Sequence, residues 1–128
     1  MLWLFILACG EKESDSADVT IESTPATFTQ IQTEVFALSC SFSSCHGAAA
    51  GGLLLNGDGD YERLLNVNSI FADGQVLVSP NDVENSYLVK KVSQTQGISG
   101  DIMPPGSGLS AEAVEMITSW IEAGAEDN

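Results

Sequence analysis

Two cysteines and the only histidine of the chain lie within seven residues, in the segment Cys40-Ser41-Phe42-Ser43-Ser44-Cys45-His46. The pattern is C-x-x-x-x-C-H, two residues longer than the C-x-x-C-H pattern in which two thioethers attach a haem and the adjacent histidine binds its iron. A haem attached here requires the two extra residues to bulge outward, which serines allow. The residues leave a second interpretation open, in which Cys40 and Cys45 form a small disulfide loop beside an incidental histidine.

A low-spin haem iron needs a second axial ligand, and methionine sulfur is a common one. Met1 lies in an apolar N-terminal run, and Met116 lies inside a predicted helix, where a core role is expected. Met103 lies in a loop stiffened by Pro104 and Pro105, which lower the entropy lost in holding a weak ligand. We therefore expect Met103 to be the distal ligand; without the cysteine motif it would be an ordinary loop or core methionine.

The elements that must position these residues are helical. Apolar residues recur at helical spacing after Thr27 and predict a helix that ends near Ser39, with an apolar face of Phe28, Ile31, Val35 and Leu38. Ser110 is a good N-cap for a last helix that ends at Gly124, with Val114, Ile117, Trp120 and Ile121 on its apolar face. Trp120 and Ile121 should pack against the first helix and the haem edge.

Two shorter helices are predicted between these. One covers about two turns from Tyr61 to Val67, and the other runs from about Val83 to Val92, capped by Asn81-Asp82. Val76, Val78 and Pro80 indicate extended or turn structure. The sum is an all-α fold of three or four helices with long loops and little strand.

Composition and charge exclude several classes of protein. A length of 128 residues suits one domain. The hydrophobic content of 44% is higher than is usual for intrinsically disordered proteins, so we expect the chain to fold. Four Lys and Arg against 18 Asp and Glu give a net charge of -14, which excludes binding to a phosphate backbone and favours a basic partner protein or a cation. With a single histidine, a closed zinc site of four nitrogen and sulfur ligands is hard to assemble.

The N-terminus has the features of a targeting segment. Residues 1–8 include an apolar run too short to span a membrane, and Ile6-Leu7-Ala8-Cys9 resembles the lipobox of bacterial lipoproteins. The resemblance implies a signal peptide over 1–8 that is cleaved before Cys9, lipidation of Cys9, and an acidic tether over 9–26. No Lys or Arg precedes the run, so either the signal is weak or the true start lies upstream. The alternative is an apolar N-terminus packed in the core with a free Cys9.

The chain from Thr27 to Ala125 resembles the small class I cytochrome c domains of bacteria. The motifs that carry the resemblance are Cys45-His46-Gly47, Pro80-Asn81-Asp82-Val83-Glu84-Asn85-Ser86-Tyr87-Leu88, Met103-Pro104-Pro105 and Trp120-Ile121-Glu122-Ala123-Gly124-Ala125. The resemblance implies a cytochrome c domain over 27–128, in which the first and last helices cross beside one covalently bound haem c. It also implies that Cys40 and Cys45 attach the haem, with His46 as proximal and Met103 as distal iron ligand.

These observations predict a lipid-anchored carrier of single electrons, periplasmic or at the cell surface, rather than a catalyst. The expected partners are a basic redox protein and, through the lipid alone, a membrane; nucleic acid and a transmembrane helix are not expected. Two alternatives stay open besides a role as one subunit of a larger oxidoreductase. One is a haem sensor in which a small ligand displaces Met103, and the other is a haem-free surface lipoprotein with a Cys40–Cys45 disulfide.

Overall fold

The computed structural model describes residues 23–128, in which four helices are joined by long loops. We label them α1 (28–39), α2 (Asp60–Leu64), α3 (Tyr87–Ser93) and α4 (Ala111–Glu122). Two single 3₁₀ turns, His46–Ala48 and Ala50–Gly52, follow α1. Pairing between extended segments within 23–128 is limited to isolated bridges, so the all-α prediction is confirmed at the level of class.

Helix α1 changes its winding in the middle. It is α-helical over Phe28–Gln30, π-helical over Ile31–Phe36 and α-helical again over Ala37–Ser39, and the N–H of Ala37 donates to the carbonyl of Gln32, five residues back. A π turn holds more residues than an α turn, so the apolar face shifts along the chain. Phe36 is therefore buried at 1% exposure, whereas Leu38 is 68% exposed. The prediction that Leu38 lies on the apolar face is wrong.

Helix α4 has the predicted ends. The Ser110 hydroxyl accepts from the N–H of Ala113 at 3.2 Å, as an N-cap does. The helix ends just before Gly124, whose φ of 112° suits a glycine. Ile117, Trp120 and Ile121 are all buried, so the predicted apolar face is confirmed, with Val114 half-buried at its edge.

An aromatic cluster joins α4 to α1 and α2. The Phe28 ring lies 5.2 Å from the Trp120 ring and 5.3 Å from the Tyr61 ring, centroid to centroid. The polar atoms of the cluster are satisfied by the C-terminal segment: the indole N–H of Trp120 donates to the Glu126 carbonyl at 2.8 Å, and the Tyr61 hydroxyl donates to the Ala125 carbonyl at 2.9 Å. Large aromatic surfaces with paired polar tips stabilise this half of the core.

The two middle helices are shorter than predicted. Helix α2 ends at Leu64 rather than Val67. Helix α3 begins at Tyr87 rather than Val83, because the buried Ser86 hydroxyl donates to the Asp82 carbonyl at 2.7 Å and accepts from the N–H of Ser79 at 2.9 Å. These bonds hold residues 82–86 as a turn. The prediction that Asn81-Asp82 caps α3 is wrong, and Ser86 occupies the N-cap position.

Residues 67–77 form a short hairpin, which we call the 67–77 hairpin. Asn68 bridges Val76 in antiparallel fashion, the N–H of Leu77 donates to the Val67 carbonyl at 2.7 Å, and the N–H of Ser69 donates to the Gln75 carbonyl at 2.8 Å. Val78 bridges Leu65, so the extended or turn structure predicted around Val76 and Val78 is confirmed.

The predicted signal peptide over 1–8, the lipidation of Cys9 and the tether up to residue 22 lie outside the described residues. Within 23–128, no helix combines the length and the apolar character needed to cross a bilayer.

Candidate functional site

A cavity of about 660 Å³ lies on the side of the molecule where the loops gather. This volume falls within the range of sites for organic ligands and cofactors. Its walls come from the end of α1, the loop after it, α2, the 67–77 hairpin, α3 and the loop before α4. Most of the wall is apolar, including Phe36, Leu53, Leu55, Leu77, Leu88, Val92 and Leu109.

Three of the four predicted haem residues line this cavity: Cys40, His46 and Met103. They come from the end of α1, from a 3₁₀ turn and from the loop before α4. Cys45 is not among the lining residues, although its neighbour His46 is. The structure thus brings together an imidazole, a thioether and a thiol that are up to 63 positions apart in the chain.

The His46 ring is held by one of its nitrogens. Nδ1 lies 2.9 Å from the carbonyl oxygen of Leu53. Because a carbonyl oxygen only accepts, Nδ1 carries the proton, and Nε2 of the neutral ring has the free lone pair. The backbone supports the same arrangement, since the N–H of Leu55 donates to the His46 carbonyl at 2.9 Å. A carbonyl that fixes the tautomer in this way is a common device behind histidines that bind metal.

The loop between Cys40 and His46 is closed by backbone hydrogen bonds. The N–H of His46 donates to the Cys40 carbonyl at 3.1 Å, and the N–H of Cys45 donates to the Phe42 carbonyl at 2.8 Å. The segment from Phe42 to Ser44 is exposed and points away from the core. The two residues beyond the usual spacing are thus accommodated in an outward bulge.

Gly47 is required by this loop, a role that the sequence reading did not identify. A Cβ at this position would overlap the carbonyl oxygen of Ser41 and lie 2.8 Å from that of Phe42. The glycine lets the chain after His46 pass directly over the cysteine loop. The backbone from Cys40 to Gly47 is therefore held in one path, and His46 lies at the end of the cysteine loop.

The two thiols have different surroundings. Both Cys40 and Cys45 are free cysteines, Cys40 buried and Cys45 half-buried. Burial, and secondarily the negative charge of Cys45, raises the pKa of the Cys40 thiol from 9.0 to about 11. Cys40 is therefore a neutral thiol at physiological pH, next to an apolar space.

The loop that carries Met103 is tied to α3. The N–H of Met103 donates to the Lys91 carbonyl at 2.7 Å, and the N–H of Leu109 donates to the Val92 carbonyl at 3.0 Å. A Cβ at Gly108 would lie 2.6 Å from the same Val92 carbonyl, so only glycine allows this approach. Both ends of the loop are thus fixed, and Met103 is half-buried against the cavity.

Met116 and Trp120 do not line the cavity. Met116 lines a separate surface groove between the ends of α1 and α4, and Trp120 packs in the aromatic cluster. The expected packing of Trp120 against the first helix is confirmed. Trp120 is not among the residues that line the cavity, so the structure does not bring it to the expected cofactor edge.

A buried carboxylate stabilises one wall, and the sequence reading missed it. Asp60 is 1% exposed and accepts from the N–H groups of Asn56 and Gly57 at 3.0 and 2.9 Å. It also pairs with Arg63 at 3.2 Å. The Asn56-Gly57 turn that follows the cavity residue Leu55 is held in this way, and the acid has a structural role.

The donor set fits a haem. A haem iron takes its four equatorial ligands from the porphyrin, so the protein needs to supply only axial ones, here an imidazole and a thioether. A metal site built from protein ligands alone is a poorer fit, because residues 23–128 contain no group of three or more His, Cys, Asp or Glu side chains arranged to hold an ion. The apolar lining suits a macrocycle, and the thiol of Cys40 is part of the same wall.

Comparisons with protein-family models, with curated proteins and with solved structures gave no match to this chain.

Proposed function

We propose that this chain is a c-type cytochrome that carries single electrons. The observation that carries the proposal is the convergence of Cys40, His46 and Met103, from three separate segments, on one apolar cavity. In this proposal Cys40 and Cys45 attach haem c, His46 Nε2 is the proximal ligand and Met103 sulfur is the distal ligand. A bound haem supplies one-electron chemistry at its iron.

The protein's own residues favour a carrier over a catalyst. If His46 and Met103 both bound the iron, no coordination position would be left for a substrate. A soft thioether stabilises ferrous iron and raises the reduction potential. The apolar walls, formed by residues such as Leu88 and Val92, exclude water and lower the polarity around the redox centre. Residues 23–128 offer no second histidine near the cavity for acid-base work.

The location and partners belong to the same proposal. A lipid on Cys9 and the acidic segment after it would tether the domain outside the cytoplasm, near membrane-bound redox enzymes. The net charge of -14 attracts a basic partner at long range, and this attraction weakens as salt rises.

The test uses two matched methionine variants of protein matured in a host that attaches haem c. We expect the unmodified protein to give a low-spin c-type spectrum with a weak sulfur-to-iron band at the red end in the ferric state. Met103→Ala should abolish that band and allow carbon monoxide to bind the ferrous iron. Met116→Ala, which removes a methionine that does not line the cavity, should leave the spectrum unchanged.

The contradicting outcomes are distinct. If Met103→Ala keeps the sulfur band, the distal assignment is wrong. If the unmodified ferrous protein binds carbon monoxide within seconds, Met103 is displaced easily and the ligand-sensor alternative is correct. A colourless protein with a Cys40–Cys45 disulfide would establish the haem-free alternative.

A further inference from the structure

Asn56 and Gly57 form the only Asn-Gly pair of the chain. An asparagine side chain can react with the main-chain nitrogen of the next residue, because that nitrogen and the side-chain carbon Cγ can close a five-membered imide ring. Glycine favours the reaction because it has no Cβ to hinder the approach. Both residues are exposed, and neither lines the cavity, so their exposure does not depend on what the cavity holds.

The nitrogen that would attack is held by a buried carboxylate. The N–H of Gly57 donates to Oδ2 of Asp60 at 2.9 Å, and Asp60 is 1% exposed. Oδ1 of the same carboxylate accepts from the N–H of Asn56 at 3.0 Å and pairs with Arg63 at 3.2 Å. Asp60 is thus fixed in place, with one oxygen directed at the hydrogen that the Gly57 nitrogen must lose. A positioned proton acceptor of this kind is what general-base catalysis requires.

The side-chain carbonyl that would be attacked is held as well. The N–H of Asp58 donates to Oδ1 of Asn56 at 3.1 Å. Attack on Cγ places negative charge on this oxygen, and a donor already directed at the oxygen stabilises that charge. The carbonyl of Asp58 accepts from Arg63 at 2.7 Å, so the donor is itself fixed. A Cβ at position 57 would meet no atom within 4 Å, so there is free space around the reacting nitrogen.

We propose that Asn56 and Gly57 form a self-modifying site, at which the folded chain converts Asn56 to aspartate and isoaspartate with Asp60 as the base. In the first step the Gly57 nitrogen bonds to Cγ of Asn56 and the bond from Cγ to Nδ2 breaks. The Gly57 proton passes through the Asp60 carboxylate to the leaving ammonia. In the second step water opens the imide, at Cγ to give aspartate or at the main-chain carbonyl carbon to give isoaspartate. The whole reaction consumes one water, releases one ammonia and needs no oxidant or reductant.

The product differs from the starting chain in charge and in backbone length. A carboxylate replaces a neutral amide beside Asp58 and Asp60, which adds one negative charge to a net charge of -14. Isoaspartate also adds one carbon to the main chain, which shifts the two N–H groups that Asp60 holds. The turn after the cavity residue Leu55 is therefore loosened. This inference goes beyond the proposed function and does not depend on a bound haem.

The test follows the full chain, as purified, during incubation at neutral pH in water enriched in heavy oxygen. We expect the peptide that contains Asn56 to exchange its amide nitrogen for one heavy oxygen and to become a substrate for an isoaspartyl methyltransferase. Asn66, which is exposed and followed by Val67, is the internal control and should stay unchanged. Asn56→Gln is the matched variant and should not react in the same time, because its longer side chain would have to close a six-membered ring.

The role of the folded geometry is measured separately. Unfolding in urea removes the contacts of Gly57 and Asp58, so conversion of Asn56 should be about tenfold slower in the unfolded chain than in the folded one. Asp60→Asn should slow the folded chain to a similar degree, with its fold checked by circular dichroism. The inference is overturned if conversion in urea is as fast or faster, or if folded Asp60→Asn converts at the unmodified rate. The comparison in urea needs no variant, so it decides the question even if Asp60→Asn does not fold.

Discussion

The two apolar regions of this molecule are closed in different ways. In the aromatic cluster, Phe28, Tyr61 and Trp120 fill the space between helices with their own rings. Around the cavity, the chain uses turns, a hairpin and a fixed loop to enclose about 660 Å³ between apolar walls. The first region is a core that the protein fills with its own side chains. The second is a cavity with apolar walls, which in the proposed function holds a covalently attached macrocycle.

Stability and haem binding should depend on different regions of the molecule. Buried aromatic rings should determine whether the domain folds, and the residues around the cavity should determine whether it holds haem and at what potential. Variants in the aromatic cluster should therefore change stability and largely preserve haem binding, and variants around the cavity should do the reverse.

The largest expected effect is the loss of covalent haem in the double variant Cys40→Ser, Cys45→Ser. Both thioether bonds need a cysteine sulfur, so haem should be fully extractable by acidified organic solvent, whereas it stays with the unmodified protein. Ser44→Ala, in the exposed bulge of the same loop, is the control and should keep its haem. Haem that resists extraction from the double variant would contradict the attachment at these positions.

The next effect is on folding. Trp120→Ala removes a ring that is 1% exposed, and we expect the free energy of unfolding to fall by about 3–5 kcal/mol. The absorption spectrum of the protein that remains folded should not change, because Trp120 does not line the cavity. Urea unfolding of the haem-loaded variant measures the first quantity. A loss under about 1 kcal/mol would show that the aromatic cluster is not the main core.

A smaller effect is expected at Gly47. Gly47→Ala places a methyl group against the Ser41 and Phe42 carbonyls, so the cysteine loop must shift, at a cost of about 1–3 kcal/mol. Because the loop positions both cysteines, the yield of covalent haem should fall as well. Gly57→Ala is the control: open space surrounds that position, and only the strain at its φ of 89° should be felt. An unchanged haem yield in Gly47→Ala would show that Gly47 is not needed for covalent attachment of haem.

The smallest effect is a dependence of stability on pH in the haem-free chain. The pKa of Cys40 is raised from 9.0 to about 11, chiefly by burial, so the folded state binds the thiol proton more tightly than the unfolded state. Its contribution to stability is complete below pH 9.0 and is lost as the pH rises toward about 11. Chemical denaturation across this range should show the fall, and Cys40→Ala should lack it. A fall of the same size in Cys40→Ala would assign it to another group.

Sequence patterns were sufficient where local rules decide the structure. Ser110, the apolar face of α4 and Gly124 obey rules that act within a few residues, and the helix has the predicted ends. The pattern was misleading where a non-local bond or an irregular winding decides. The π turn in α1 places Phe36 rather than Leu38 in the core, and the Ser86 hydroxyl delays the start of α3.

The site divides in the same way. Residue type and spacing are enough to predict Cys40, His46 and Met103 as site residues, and the structure places all three around one cavity. The carbonyl of Leu53 that fixes His46, the exposed hairpin tip and the tight packing at Gly47 depend on contacts between loops. No periodicity encodes such contacts. The requirement for glycine at positions 47 and 108 comes from backbone carbonyl oxygens that lie too close for a Cβ, and only the structure shows these oxygens.

The intact mass and absorption spectrum of the chain purified from a host that matures cytochromes c test most directly whether it carries haem c. We expect the mass of one added haem and a Soret band that stays with the polypeptide after denaturation. A colourless protein with the mass of the bare chain would contradict it.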